Sequence, residues 1–194
     1  MLGQLPMNTM VFRRATGGDS EAIASLHTES WRDAYRGILP DLYLDGQIFD
    51  ERANLWRSRF SSLSSDRFLV VLAESSGEPV GFACVLLDED PQWGPCLDNL
   101  HVLPRCRSRG VGRLLFGRAA QWVMSREPRW PIHLWVFEAN VGARRFYDAL
   151  GGEVVENKKR EVLKGIEISS VLYVWRDLQE LLNNLTRGST RTAE

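Results

Sequence analysis

Apolar and polar positions alternate, recur and break along the chain in a way that sorts it into strands and helices. Residues 9–15 read as a first strand, and Asp19 is placed to cap a helix that carries Ile23 and Leu26 and runs toward Trp31 and Tyr35. Gly37 and Pro40 interrupt that pattern. Phe49, Ala53, Trp56, Phe60 and Leu63 then recur at steps of four and three, the stripe of an amphipathic helix lying on a sheet, and this stripe is expected to be core. Residues 67–73 and 79–87 are apolar runs joined by Ser75-Ser76-Gly77-Glu78, which predicts an antiparallel hairpin.

After a loop containing Pro91, Gly94 and Pro95, residues 96–103 supply another strand, which Pro104 stops. From Val111 the residues Leu114, Leu115, Ala119, Trp122 and Val123 return at helical spacing, and residues 132–137 follow as a strand. Strand, helix, strand in that order argues for a parallel pair with a right-handed crossover. Beyond Gly152, residues 154–156 and 166–175 are expected as two closing strands around a polar turn containing Lys158, Lys159 and Arg160. The pattern is mixed α/β, without an internal repeat or a long linker, and residues 186–194 are polar and expected to fray.

With 194 residues, 44% of them apolar, one domain is expected, at residues 10–176, followed by a helical turn and flexible tail over 177–194. A formal net charge of -1 gives no global basic field, so wholesale nucleic-acid binding is not indicated. Cys84, Cys96 and Cys106 are odd in number and lack Cys-x-x-Cys spacing, and the first ten residues show no signal pattern, which points to a cytoplasmic protein with reduced thiols. No apolar run approaches the length of a membrane helix. His27, His101 and His133 have no metal-ligand spacing, so no metal is expected.

Two segments carry the chemistry. In residues 100–115, Leu100, His101 and Val102 alternate as a strand, and Arg105, Arg107, Ser108, Arg109, Gly110, Val111, Gly112 and Arg113 lead into a helix start. Gly110 and Gly112 let a ligand approach the backbone, first-turn N–H groups have no intrahelical partner, and the helix dipole favours an anion such as pyrophosphate. A solvated basic loop would show the same arginines. In residues 134–151, a strand leads to Asn140 and a helix closed by Gly151 and Gly152. Asn140 and Tyr147 are seven residues apart, close to two helical turns, so their side chains fall on nearly one face, while Ala143, Phe146 and Leu150 mark the packed side.

Together these segments resemble the Gcn5-related N-acetyltransferase (GNAT) superfamily. Arg107-x-x-Gly110-x-Gly112 is similar to its acyl-CoA pyrophosphate loop, and Asn140-x-x-Ala143-x-x-Phe146-Tyr147-x-x-x-Gly151 to its second half, in matching order and separation. The resemblance covers roughly residues 10–176. It implies a mixed, twisted sheet of about seven strands with helices on both faces, acetyl-CoA as co-substrate, and direct acetyl transfer to a primary amine of a small molecule or peptide in a ternary complex. By the same resemblance, the thioester and pantetheine arm lie where two parallel strands splay, bonded to backbone groups of Leu100, His101 and Val102. A homodimer is implied by analogy alone.

Acyl transfer to an amine needs a neutral amine, a positioned electrophile and a proton for the departing thiolate. The resemblance makes Tyr147 the general acid, since a phenol stays protonated at neutral pH; a packed tyrosine is the alternative. Asn140 would orient the cofactor arm, and is also a good helix N-cap. Many relatives carry a glutamate where this chain has Cys96. Asp98 shares strand parity with Cys96, Leu100 and Val102 and is the candidate base, directly or through water, although a carboxylate is a poor base for an ammonium unless burial raises its pKa. A structural or anchoring carboxylate is the competing reading of Asp98. Cys96 as a nucleophile would need an activating partner, which His101 has the wrong parity to be, and Cys106 in the arginine-rich turn invites adventitious reactivity.

The resemblance also implies that the segment between the first two strands shapes the acceptor pocket. Here Glu29, Asp33, Asp41, Asp45 and Asp50 outnumber Arg32 and Arg36 and interleave with Trp31, Tyr35 and Tyr43. Carboxylates and aromatic faces, Trp31 and Tyr35 foremost, would suit a cationic amine; a solvated helix and loop is the competing reading. A non-catalytic acyl-CoA-binding or sensing module on the same fold is the alternative function. A dinucleotide-binding unit is disfavoured by Leu115 where Gly or Ala is required.

Overall fold

The alternation and helical spacing fold into seven strands and six helices among the described residues. A computed structural model describes residues 10–187. In chain order the elements are β1 (Met10–Arg14), α1 (Ser20–Ala34), α2 (Asp41–Asp45), α3 (Ile48–Ser62), β2 (Phe68–Ser75), β3 (Glu78–Asp90), β4 (Gly94–Val102), α4 (Val111–Met124), β5 (Ile132–Phe137), α5 (Val141–Asp148), β6 (Glu153–Leu163), β7 (Ile166–Trp175) and α6 (Leu178–Arg187). The strands form one mixed sheet ordered β1-β2-β3-β4-β5-β7-β6. The expected strand start at Thr9 and the expected frayed tail past Arg187 lie outside the described residues.

Two compact units divide the chain, one formed by the residues up to Val85 with Asn99–Ala119 and the other by Leu86–Asp98 with Ala120 onward. In the first, β1 pairs antiparallel with β2, placing Phe12 opposite Ala73. A two-residue loop joins β2 to β3, with Ser76 and Gly77 both at positive φ (53° and 83°), the geometry of a tight hairpin turn that follows the strands' twist. Successive β3 residues face opposite helices. Phe82 meets Trp56 of α3 edge to face at 5.2 Å, whereas a side chain on Gly81 would press on Leu115 of α4 at 3.2 Å. Helices therefore cover both faces of these strands, which explains why β2 is buried almost throughout rather than alternately. Of the predicted α3 stripe, Ala53 and Trp56 are buried core, but Leu63 is 42% exposed at the helix end.

In the second unit β4 and β5 are parallel, with Cys96 opposite His133, and β5 pairs antiparallel with β7, Leu134 opposite Tyr173. The last hairpin differs from the sequence expectation. β6 runs continuously through Lys158, Lys159 and Arg160, and the chain reverses at Gly165 (φ 77°). The three cations read as a turn because they are charged and consecutive, yet β6 is the sheet's outer strand and its side chains face solvent. Lys158 and Arg160 share one side of that strand and both place their charge 4.7 Å from the Trp135 ring of β5. The predicted helical turn after residue 176 is instead a ten-residue helix, α6, that buries Leu178, Leu181 and Leu185.

Gly152 is fixed by close approach. A Cβ there would lie 2.7 Å from both Trp175 Cζ2 and Tyr173 Cδ1. Gly152→Ala is expected to destabilise the protein by roughly 1–3 kcal/mol, the usual cost of overpacking, read as a lower urea midpoint at unchanged m-value.

Candidate active site

The first motif makes a compact, internally bonded loop. Pro104 opens a short 3₁₀ turn over Pro104–Cys106, closed by bonds from the Cys106 N–H to the Leu103 carbonyl (2.8 Å) and from the Arg107 N–H to the Pro104 carbonyl (3.2 Å). Ser108 and Gly110 then take positive φ, 60° and 80°. For Gly110 this left-handed geometry is free of side-chain strain, and no atom lies within 4 Å of where a Cβ would sit, so the backbone stands open just before α4 begins at Val111. Val111 is buried and anchors the helix start, while Arg109, Gly112 and Arg113 keep partial exposure around it. Loop, glycine and helix start thus fall together as the spacing predicts.

The arginines are less idle than a solvated loop would make them. Arg107 donates Nε–H to the Val102 carbonyl at 3.0 Å and pairs through Nη1 with Asp33 of α1. Arg105 pairs with Glu29, also of α1, at 3.2 Å. Two of the acids expected to greet a cationic acceptor are therefore engaged by loop arginines. Arg36 takes two more, Asp41 at 3.0 Å and Asp45 at 2.7 Å. Of the two readings of that acidic run, these pairs favour the solvated helix and loop over an acceptor-binding surface. The Glu29 and Asp33 pairs are set by the fold, because loop and helix are far apart in sequence, whereas Arg36 reaches acids only five and nine residues on.

Residues 99–102 alternate across β4. Asn99 accepts from Arg59 at 3.2 Å, His101 stacks at 4.7 Å on His27 of α1, and Val102 lies beside Gly81 toward α4. His27 is fully buried, and its Nδ1 accepts from Trp56 Nε1 at 3.2 Å. Neither the helical pattern nor any ligand spacing marked the His27 and His101 pair; they meet only through packing of α1 on the sheet. Burial holds His27 well below the ordinary histidine range, with neighbouring His101, Arg52 and Arg59 acting the same way. His101 is pushed down to about 3, again mainly by burial, with Arg107 and Arg52 contributing.

Both rings are thus neutral when folded and protonate near pH 6.5 when unfolded. The unfolded chain binds more protons below that pH, so the stability these rings confer is complete above about pH 6.5 and falls as the pH drops. Lowering the pH from 7.5 to 5.5 is expected to cost on the order of 1 kcal/mol for His27 alone. Urea unfolding at the two pH values checks this, and a midpoint that held or rose at pH 5.5 would refute it.

In the second unit, Asn140 is the N-cap of α5, its Oδ1 accepting the Ala143 N–H at 3.1 Å. At the other end, the Gly152 N–H bonds the Tyr147 carbonyl (3.1 Å) and the Gly151 N–H the Asp148 carbonyl (3.0 Å), with Gly151 at φ 77°. This is the Schellman closure that the glycine pair predicts. Within the helix the packed side differs from expectation. Leu150 is fully buried, but Tyr147, at 8% exposure, is the buried residue of the helix proper, and Ala143 and Phe146 are only partly covered. The Tyr147 ring lies 5.6 Å from Tyr173 and 5.8 Å from Trp175, the two rings that leave no room for a Cβ on Gly152. The phenol is therefore held by ring packing from β7, which the helical pattern had no means of showing.

Cys96 is buried on β4 and Asp98 is exposed two residues on, so the same strand parity does not bring the same burial. Cys106 is also buried, which shields the thiol of the arginine-rich turn from adventitious reagents. Trp31 and Tyr35 stack edge to face at 5.0 Å, and the guanidinium of Arg52 lies 4.6 Å over the Trp31 ring. A cation of the chain itself thus occupies that ring's vicinity.

Residues 23–151 match the model of the acetyltransferase (GNAT) family. The chain is 28% identical over 177 residues to the uncharacterized N-acetyltransferase YuaI of Bacillus subtilis, covering 90% of this chain and 98% of that protein. It is 30% identical over 143 residues to the probable N-acetyltransferase Rv2775 of Mycobacterium tuberculosis, covering 74% and 79%. In fold it is similar to yncA of Salmonella typhimurium, a putative acetyltransferase solved with its cofactor acetyl-CoA, with a TM-score of 0.62 and 19% identity over 87% of this chain and 94% of that one. On the family match and these relatives, the chain belongs to the GNAT family and is an N-acetyltransferase.

Proposed function

We propose that the protein transfers the acetyl group of acetyl-CoA directly to a primary amine of a small molecule or peptide in a ternary complex. The observation that carries the reading is the loop before α4, where Gly110 leaves an open, left-handed backbone position at a helix start, beside Ser108, Arg109, Gly112 and Arg113. Such a position admits a pyrophosphate against backbone N–H groups without displacing a side chain. When bound, acetyl-CoA supplies an activated thioester and a thiolate leaving group. Arg107, bonded to the Val102 carbonyl and to Asp33, shapes the loop. Backbone groups of Leu100, His101 and Val102 are assigned to the acyl and pantetheine arm.

Tyr147 serves as general acid, donating its phenolic proton toward the leaving sulfur. Its near-complete burial and its ring contacts support this role, because a fixed phenol loses little entropy in reaching its target. The N-cap bond uses the Asn140 Oδ1 and leaves the amide donors of the same side chain for the cofactor arm. Asp98 takes the amine's proton through water, an arrangement that suits its exposure and asks only that a small neutral fraction of the amine be drawn on. Trp31 and Tyr35 border the acceptor. This direct route invokes no metal. The enzyme is read as cytoplasmic, and as a homodimer by analogy with its family.

Calorimetric titration with acetyl-CoA, with CoA and NADH as comparisons, tests the reading. Saturable binding of acetyl-CoA but not NADH, followed by acetylation of an amine, is expected. Binding without turnover of any amine would favour a non-catalytic sensing module, and no binding would refute the cofactor assignment.

A further inference from the structure

Three buried side-chain nitrogens in the first unit, His27 Nε2, Trp31 Nε1 and Arg52 Nε, have no hydrogen-bond partner among the described residues. They belong to one cluster. The His27 and Trp31 rings are 5.3 Å apart, and the Arg52 guanidinium lies 4.6 Å from the Trp31 centroid. An indole N–H and a guanidinium N–H can only donate. His27 is also a donor, for a reason the structure supplies. Its Nδ1 accepts from Trp56 Nε1, so that nitrogen carries no hydrogen, and the neutral ring bears its proton on Nε2.

Beside them on α1 the buried Ser30 hydroxyl, which can donate or accept, is also without a partner among the described residues, so the set is weighted toward donors, and buried polar groups ordinarily find partners. The group that would complete them is an anion or a carbonyl oxygen, never an ammonium. Arg52 adds a fixed positive charge whose Nη2 stands 3.6 Å from Glu51, a carboxylate that also accepts from Tyr43 at 2.7 Å. The acids that would favour a cationic ligand are largely engaged elsewhere, Glu29, Asp33, Asp41 and Asp45 each by an arginine.

We infer that the acceptor is a primary amine that also bears a carboxylate, an amino-acid-like small molecule whose carboxylate is received by Arg52, Trp31 and His27. The inference rests on the acetyltransferase reading and narrows its acceptor. Arg52 contributes charge and Nε–H, Trp31 and His27 contribute oriented neutral donors, and the carboxylate lone pairs satisfy all three. The amine end remains for acetylation. Polyamines and simple aryl-alkylamines lack the group these donors require.

The test compares acetyl-CoA turnover on free amino acids, the corresponding amino-acid amides and spermidine. Free acids are expected to exceed their amides in kcat/KM by roughly tenfold or more, since the amide replaces a charged acceptor by a neutral one. Arg52→Gln and Trp31→Phe, the latter keeping an aromatic ring but losing the N–H together with the pyrrole half of the indole, should each shrink that ratio. A second readout does not depend on turnover. In the CoA-loaded protein, the indole N–H resonance that Trp31→Phe removes should move on adding a free amino acid and stay in place on adding its amide. Amides or spermidine turned over as well as the acids, or a Trp31 resonance that no acid moves, would overturn the inference while leaving the acetyltransferase intact. Failure to bind acetyl-CoA would instead strike the reading on which it rests, and the same resonance followed in the CoA-free protein would still decide whether the cluster receives a carboxylate.

Discussion

Tyr147→Phe is expected to lower turnover by roughly a hundredfold, the ordinary worth of a positioned general acid, while acetyl-CoA affinity stays near that of the unmodified protein. The substitution replaces the hydroxyl by hydrogen and so removes the dissociable proton. The ring keeps its contacts at 5.4 Å with Phe146, 5.6 Å with Tyr173 and 5.8 Å with Trp175, so folding should be preserved, and the urea midpoint serves as control. A loss confined to kcat identifies an interaction made only in the transition state. Equal turnover in the variant would show Tyr147 to be a packed tyrosine and no more. Replacing the acetyl donor by one with a better leaving group should partly rescue the variant, because a thiolate that departs easily needs less protonation.

Gly110→Asp acts on binding. Two penalties combine at that position. A non-glycine residue at φ 80° is strained by about 1 kcal/mol or more, and a carboxylate would enter the open space where the phosphates are assigned. Together these should weaken acetyl-CoA affinity by at least about tenfold, each 1.4 kcal/mol being one such factor. Gly110→Ala separates the two, because it keeps the strain and omits the charge. Calorimetric titration reads both variants, and wild-type affinity in Gly110→Asp would displace the phosphates from this loop.

The local structure around these two positions was legible in the sequence because short-range spacing determines it. The loop from Pro104 to Val111 closes on itself through bonds between residues three apart, and α5 is delimited by its own N-cap and glycine closure. β5 falls at Ile132–Phe137, as its apolar run predicts. Where residues answer to distant partners, the sequence misleads. Lys158 and Arg160 look like turn residues until Trp135, two strands away across the sheet, is placed beneath them. Asp98 has the parity of a buried neighbour, yet parity specifies a side of the sheet and not what covers it.

The acceptor segment shows the difference most sharply. Its composition, acids among aromatics, suggests a cation as partner. In the fold, Glu29 meets Arg105 across 76 positions and Asp33 meets Arg107 across 74, while His27 finds Trp56 and His101 in the core. The surplus that remains is one of donors. By itself the sequence determined the family, the strand and helix order and the two motif-bearing segments, since these depend on dihedral preferences, caps and periodicities spanning a few residues. Tertiary structure alone decided which charges are already paired and which buried donors still lack a partner, because pairing depends on distance in space, and chain separation carries almost no information about that.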